Sequence, residues 1–238
     1  GGIHTMKTFR FAAKQILPVL FSYIFIGIAF GVLIHQAGYS APWAFFASFF
    51  IYAGSMQIVM IPLMLSGVPL SMLAIMTFFV NGRHIFYGLG FIDQFRKMGW
   101  KYPYMALTLT DEVYSVLCSA EYPEDVDARK ADFLIALMCH MLWAFCSGAG
   151  ALLGQTLPID TTGIEFSAAA FFITVCVNHW RQLGSHIPSI VGLAGGVGFL
   201  LLLGADKFLL PALITSLILL IIFKDTIRMQ MGEIKNDD

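Results

Sequence analysis

From Ile16 to Gly82 the chain contains no Asp, Glu, Lys or Arg. A soluble domain cannot leave so long a stretch uncharged, because ordinary globular chains carry about 25% charged residues. Here the whole chain carries 12% charged and 58% hydrophobic residues, with a mean hydropathy of +0.77. The apolar runs are continuous rather than alternating, which excludes a β-barrel. The fold class expected is all-α: a polytopic transmembrane bundle of seven or eight segments, with a broken or re-entrant helix and a weak internal repeat. Twenty-two Phe and twenty-two Gly suit lipid-facing rings combined with close helix crossings. The net charge of −1 gives no electrostatic case for nucleic acid. Cys118, Cys139, Cys146 and Cys176 fall in apolar segments, at spacings that fit neither zinc nor a disulfide framework.

In chain order, Gly1 to Thr5 reads as an expression remnant before Met6, and no cleavable signal peptide is expected to follow. Residues 6–15 interleave Lys7, Arg10 and Lys14 with Phe9 and Phe11, as an interfacial segment does. Residues 16–223 are expected to form a single transmembrane domain, and residues 224–238 a polar, frayed tail. Its clear apolar runs are 16–37, 41–65, 69–91, 133–156, 163–180, 187–203 and 208–223.

The run 41–65 is interrupted by Tyr52-Ala53-Gly54-Ser55-Met56-Gln57, a poor helix centre. Transporters use such breaks to bind substrate at half-helix ends. Met105 to Ala120 is apolar but short for a crossing, which needs about 20 residues, so it is expected to be partial or re-entrant unless tilted. If it crosses, an amino terminus inside places most Lys and Arg inside. If it does not, counting 41–65 as a span, the amino terminus must lie outside. Residues 93–104 and 121–132 are expected to be solvated loops. Gly27-x-x-x-Gly31 recurs as Gly150-x-x-x-Gly154, and Phe49-Phe50-Ile51 as Phe171-Phe172-Ile173, the two matches that suggest a repeat.

The run 69–91 ends in Asn81-Gly82-Arg83-His84-Ile85-Phe86-Tyr87-Gly88. An arginine at that depth costs about 2.5–3.5 kcal/mol on insertion scales, so it must face protein or water. On one continuous helix Arg83 and Tyr87 share a face, with Asn81, His84 and Gly88 on the adjacent one. The glycines let another backbone approach. Two readings are open: a polar site inside the membrane, or a structural Arg held among carbonyls.

Four stretches taken together resemble the AzlC-type family, the large subunits of bacterial branched-chain amino acid exporters. They are Gly27-Ile28-Ala29-Phe30-Gly31, Tyr52 to Gln57, Asn81 to Gly88, and Leu109-Thr110-Asp111-Glu112. The amino-terminal half carries the likeness. Further on, Glu165-Phe166 stands where the family tends to have Asp-Phe, and Asn178-His179-Trp180-Arg181 is more polar than the family pattern. The resemblance implies a multi-pass protein of the bacterial cytoplasmic membrane that exports valine, leucine and isoleucine, with methionine a further candidate. It also implies a small membrane subunit of the AzlD type as partner.

Such a substrate is a zwitterion with an apolar side chain. Its carboxylate needs donors, for which Arg83, Asn81 and the backbone N–H groups at Gly54 and Ser55 serve, with Tyr87 and Gln57 beside them. Its ammonium needs acceptors, and Asp111 and Glu112 are the best-placed carboxylates. An Arg83–Asp111 ion pair is the competing role for Asp111. Asp111, Glu112 and His84 are the candidates for proton coupling, ahead of Glu165 and His179. His140, alone on an apolar helix, is expected to be a packing residue. No cofactor is expected. The competing functions are a membrane-embedded metal-dependent hydrolase using His84, His140, His179 and Asp111, which lack metal-ligand spacing, and a passive channel.

Overall fold

A computed structural model describes residues 2–156, 173, 176–177, 180–181, 185–204 and 208–233. The chain divides into two compact units, residues 1–164 and 165–238. Every regular element among the described residues is helical.

The first unit is built around α2 (Leu17–Gln36) and α9 (Ala128–Thr156), the two described helices long and apolar enough to cross a membrane. At about 1.5 Å per residue they extend about 30 and 43 Å. Their contacts advance together along both helices, so they run parallel. Tyr23 meets Trp143 edge-on at 5.2 Å, Gly27 lies against Cys146, Gly31 against Ser147 and Ala151, and Gly154 against His35. The two small-residue motifs therefore face each other. A Cβ on Gly27 would sit 2.7 Å from the Cβ of Cys146, and one on Gly31 or Gly150 would collide with backbone of the opposite helix. The close crossing expected of these glycines is present, and they make it with one another.

Helix α1 (Gly2–Gln15) lies at the amino-terminal end of α9, where the backbone N–H of Asp127 donates to the Thr8 hydroxyl at 3.4 Å. Helix α3 (Ala41–Ile51) runs back along α9, from Gly148 beside Phe45 to Phe49 stacked on His140 at 4.8 Å. It stops at Tyr52, whose φ of 41° is left-handed, and α4 (Gly54–Leu65) begins two residues on. One turn into α4, Gln57 donates to Ser48, one turn back in α3, at 3.0 Å. The chain has doubled back, and the break read from Gly54, Ser55 and Gln57 is real.

Helices α5 (Leu70–Asn81) and α6 (Arg83–Arg96) meet at Gly82, which itself keeps right-handed angles (φ −54°, ψ −28°). The chain therefore holds its course from Leu70 towards the amino-terminal end of α9. There Gln94 donates to Asp132 at 2.6 Å and Arg129 donates to the carbonyl of Lys97 at 3.4 Å. A 3-10 turn (Gly99–Lys101) and α7 (Tyr102–Leu107) then climb α9, from Lys101 4.1 Å above the Phe133 ring to Tyr104 hydrogen-bonded to His140 at 3.0 Å. After Thr108 to Thr110 the chain descends as α8 (Asp111–Ser119), stacking Tyr114 on Tyr87 at 4.4 Å, and Tyr122 returns to Asp132. Met105 to Ala120 thus lies within a second hairpin, whose flanking residues Lys101 and Tyr122 reach neighbouring positions of α9, Phe133 and Asp132.

Three expectations are corrected here. Residues 93–96 are helical rather than looped, because α6 continues to Arg96, and the 3-10 turn and α7 occupy residues 99–107. Residues 128–132 open α9, and Asp132 is fully buried rather than solvated, because Gln94 and Tyr122 take up its oxygens. Gly88 faces open space among the described residues, so no backbone approaches it.

In the second unit α10 (Ile187–Leu203) packs on α11 (Leu209–Ile222), where a Cβ on Gly195 would sit 2.8 Å from the Ser216 hydroxyl. Lys224–Glu233 is helical (α12) where a frayed tail was expected. Glu165, Asn178, His179, Phe171 and Phe172 lie outside the described residues, so the second repeat match does too.

Candidate functional site

Three helices begin at the place where the two hairpin tips meet: α4 at Gly54, α6 at Arg83 and α8 at Asp111. Each beginning has local causes. The left-handed Tyr52 frees the chain to restart at Gly54. Thr110 caps α8, its hydroxyl accepting the N–H of Val113 at 3.5 Å. Asp111 and Glu112 in the first turn are favoured by the helix dipole. Arg83 at the start of α6 opposes its own helix dipole, so it needs an anion.

That anion is Asp111. The guanidinium donates from Nε to both carboxylate oxygens at 2.8 and 3.1 Å and from Nη2 to Oδ2 at 2.7 Å. Its remaining donors reach the Val80 carbonyl at 2.6 Å and the Ser55 hydroxyl at 3.4 Å. The Arg83–Asp111 ion pair is present. His84 lies 3.9 Å from the same carboxylate, and Tyr87 lies close to it. The pair is not sealed: about two-fifths of each side chain is exposed. Asn81 contributes a buried amide oxygen that has no hydrogen-bond partner among the described residues.

Glu112 points the other way. Tyr23 donates to its Oε2 at 3.0 Å, and the same hydroxyl lies 3.3 Å from Thr110 Oγ1 and 3.4 Å from Tyr52 Oη. Among the described residues no cation pairs with Glu112. The site therefore has a charged half around Arg83 and a hydroxyl half around Tyr23.

Two predicted residues serve the scaffold. Gln57 is fully buried and accepts from the Ala53 N–H at 3.3 Å and the Trp143 indole at 2.9 Å while donating to Ser48. It braces the reversal at Tyr52. His140 gives Nε2–H to the Phe49 carbonyl at 2.8 Å, a group left open where α3 ends, and its Nδ1 meets the Tyr104 hydroxyl. Its environment is thus separate from the one His84 shares with Asp111. No three His, Cys, Asp or Glu among the described residues are grouped to share a metal.

Tyr23, Tyr52 and Thr110 belong to the site but were not among the predicted site residues. Two of them left a signal. Tyr23 is a phenol inside an uncharged apolar run, and Thr110 followed by two acidic residues is a helix start.

The AzlC protein family model matches residues 18–157 of the chain. The chain is 32% identical over 209 residues to the branched-chain amino acid transport protein AzlC of Bacillus subtilis, covering 88% of this chain and 82% of that one. It is 34% identical over 219 residues to an uncharacterized membrane protein of Helicobacter pylori strain 26695, covering 92% and 96%. With the Escherichia coli inner membrane protein YgaZ it shares 27% identity over 200 residues, covering 80% and 81%. No solved structure matches it.

Proposed function

The chain belongs to the AzlC family of membrane transport proteins, and from that premise we propose that it is a secondary transporter exporting valine, leucine, isoleucine and methionine across the bacterial cytoplasmic membrane, driven by protons. The observation that carries this reading is the Arg83–Asp111 pair, set where α4, α6 and α8 all present their amino-terminal ends. Three positive helix ends and a guanidinium face the two carboxylates of α8, of which Arg83 engages Asp111 alone, and this favours a further anion there. The substrate carboxylate is that anion. It engages Arg83, the Asn81 amide and the N–H groups at Gly54 and Ser55, while apolar side chains take up its aliphatic part.

The reading carries a membrane topology with it. Helices α2, α5–α6 and α9 cross, while α3–α4 and α7–α8 enter from opposite faces and turn back midway. The lengths fit: α3 and α4 have 11 and 12 residues, about 16 and 18 Å each against a hydrocarbon core of about 30 Å. In residues 1–164, every Lys and Arg except Arg83 lies on α1, at the end of α6 and the turn after it, or in the first turn of α9. The connections 37–40 and 66–69 carry none. The basic end is cytoplasmic by the positive-inside rule, and the amino terminus lies with it.

One proton entering down a potential of 100 mV supplies about 2.3 kcal/mol, enough for a roughly fiftyfold substrate gradient. A small subunit of the AzlD type is the proposed partner. The test is transport by reconstituted protein, with and without that subunit, across a panel of amino acids. Efflux confined to branched-chain substrates and methionine supports the reading; a flat response across the panel refutes it.

A further inference from the structure

Asp111 and Glu112 are neighbours in sequence and both lie in the first turn of α8, yet their surroundings differ in kind. Asp111 is held by three hydrogen bonds from Arg83, a group that never deprotonates, so its charge is fixed. Glu112 takes its side-chain hydrogen bond from a group that is neutral in its ordinary state. Tyr23 on α2 donates to it, Tyr52 at the end of α3 and Thr110 complete the hydroxyl cluster, and Cys139 on α9 is near. The charged groups that also face it are Asp111 on its own helix and Arg83 on α6. Hydroxyls can both donate and accept. They solvate a carboxylate by donating to it, and a carboxylic acid by accepting from it, so this cluster commits Glu112 to neither state.

Resting on the reading of Arg83 as the substrate's carboxylate site, we infer that Glu112 is one site shared by the substrate ammonium and the transported proton, while Asp111 stays behind as the fixed counter-ion of Arg83. Adjacent positions on one helical turn let a single small zwitterion span the two halves. Facing the cytoplasm, the Glu112 carboxyl gives its proton to water and its carboxylate takes the ammonium. Facing the outside, a proton returns to the carboxylate and the ammonium leaves. The two ligands exclude each other, so each turnover exchanges one zwitterion for one proton and moves one charge. No second titrating site is required.

The inference is tested on the full-length protein in lipid nanodiscs with leucine and with 4-methylpentanoate, which is leucine without its amino group. Leucine affinity is expected to weaken by up to about tenfold per pH unit as pH falls from about 8 to 6, and leucine binding is expected to release a proton to an indicator dye. The binding of 4-methylpentanoate is expected to release none. In Glu112→Gln, leucine affinity falls at least tenfold and becomes independent of pH, while 4-methylpentanoate still binds, which shows the fold intact. Leucine binding in the unaltered protein without pH dependence or proton release overturns the shared site while leaving the transport reading standing. Retention of the unaltered pH dependence in Glu112→Gln overturns the shared site in the same way. Failure to bind leucine at any pH overturns the transport reading, and this inference with it.

Discussion

Arg83 and Asp111 stand 28 positions apart in the sequence and are joined by three hydrogen bonds between 2.7 and 3.1 Å, across the starts of two helices. Removing either partner leaves a lone charge at membrane depth, which costs about 2.5–3.5 kcal/mol on insertion scales. Arg83→Ala and Asp111→Asn are therefore expected to abolish transport and to lower the unfolding temperature in detergent. The double variant Arg83→Gln with Asp111→Asn is expected to recover much of that stability and none of the transport. A double variant less stable than both singles would show that the two charges are held by other partners.

The parallel crossing of α2 and α9 predicts a contrast between glycines. Gly31→Ala and Gly150→Ala each force a methyl into opposing backbone, an overpacking expected to cost about 1–3 kcal/mol. Gly88→Ala, inside α6, meets nothing within 4 Å among the described residues and is expected to raise stability by about 0.5–1 kcal/mol. Thermal unfolding of the three variants checks the contrast; equal losses would mean that the crossing is looser than described.

Hydropathy made some of this architecture legible and hid the rest. The runs 16–37 and 187–203 became α2 and α10 almost to the residue, because no Asp, Glu, Lys or Arg interrupts them. The break at Tyr52 was visible because Gly54, Ser55 and Gln57 all disfavour a helix centre. The junction at Gly82 was not, since that glycine keeps helical angles and only its neighbours reveal it. Whether Met105 to Ala120 turns back depends on His140 and Asp132, which lie far along the chain and fix where the hairpin begins and ends. Asp132 itself looked solvated for the same reason: its partners, Gln94 and Tyr122, come from two other segments. At the site, Arg83, Asp111 and Glu112 stood out as charges in apolar runs. The hydroxyl of Tyr23 was a weaker signal, because a phenol in a span is ordinary until its partners are known.

His140 predicts a structural phenotype. Its two nitrogens serve Phe49 and Tyr104, so His140→Phe strands a buried carbonyl and is expected to cost about 1–3 kcal/mol. Transport per folded molecule is expected to stay near that of the unaltered protein. Loss of transport at unchanged thermal stability would assign His140 a direct role.

Asp127 predicts a pH dependence outside the membrane. It caps α9, its Oδ1 accepting the Lys130 N–H at 3.2 Å while Oδ2 pairs with the Lys130 ammonium at 3.3 Å. Slight burial raises its carboxyl, but the Lys130 N–H and ammonium, with Arg129 nearby, outweigh this and hold it below the usual range. The folded pKa is the lower one, so the stabilisation is full above the unfolded value of about 3.9 and is lost as pH falls through the folded one. Asp127→Ala is expected to lower stability by about 1 kcal/mol at neutral pH. The difference from the unaltered protein should vanish in acid. A difference that does not shrink as the carboxyl is protonated in acid would contradict the cap.

The most direct measurement is counterflow of labelled leucine into vesicles preloaded with unlabelled leucine, comparing the unaltered protein with Arg83→Ala. The account predicts transient accumulation of label by the unaltered protein, as a carrier gives and a pore does not, and none by Arg83→Ala. Equal accumulation by both would contradict it, because the substrate would then pass without the guanidinium on which the site is built.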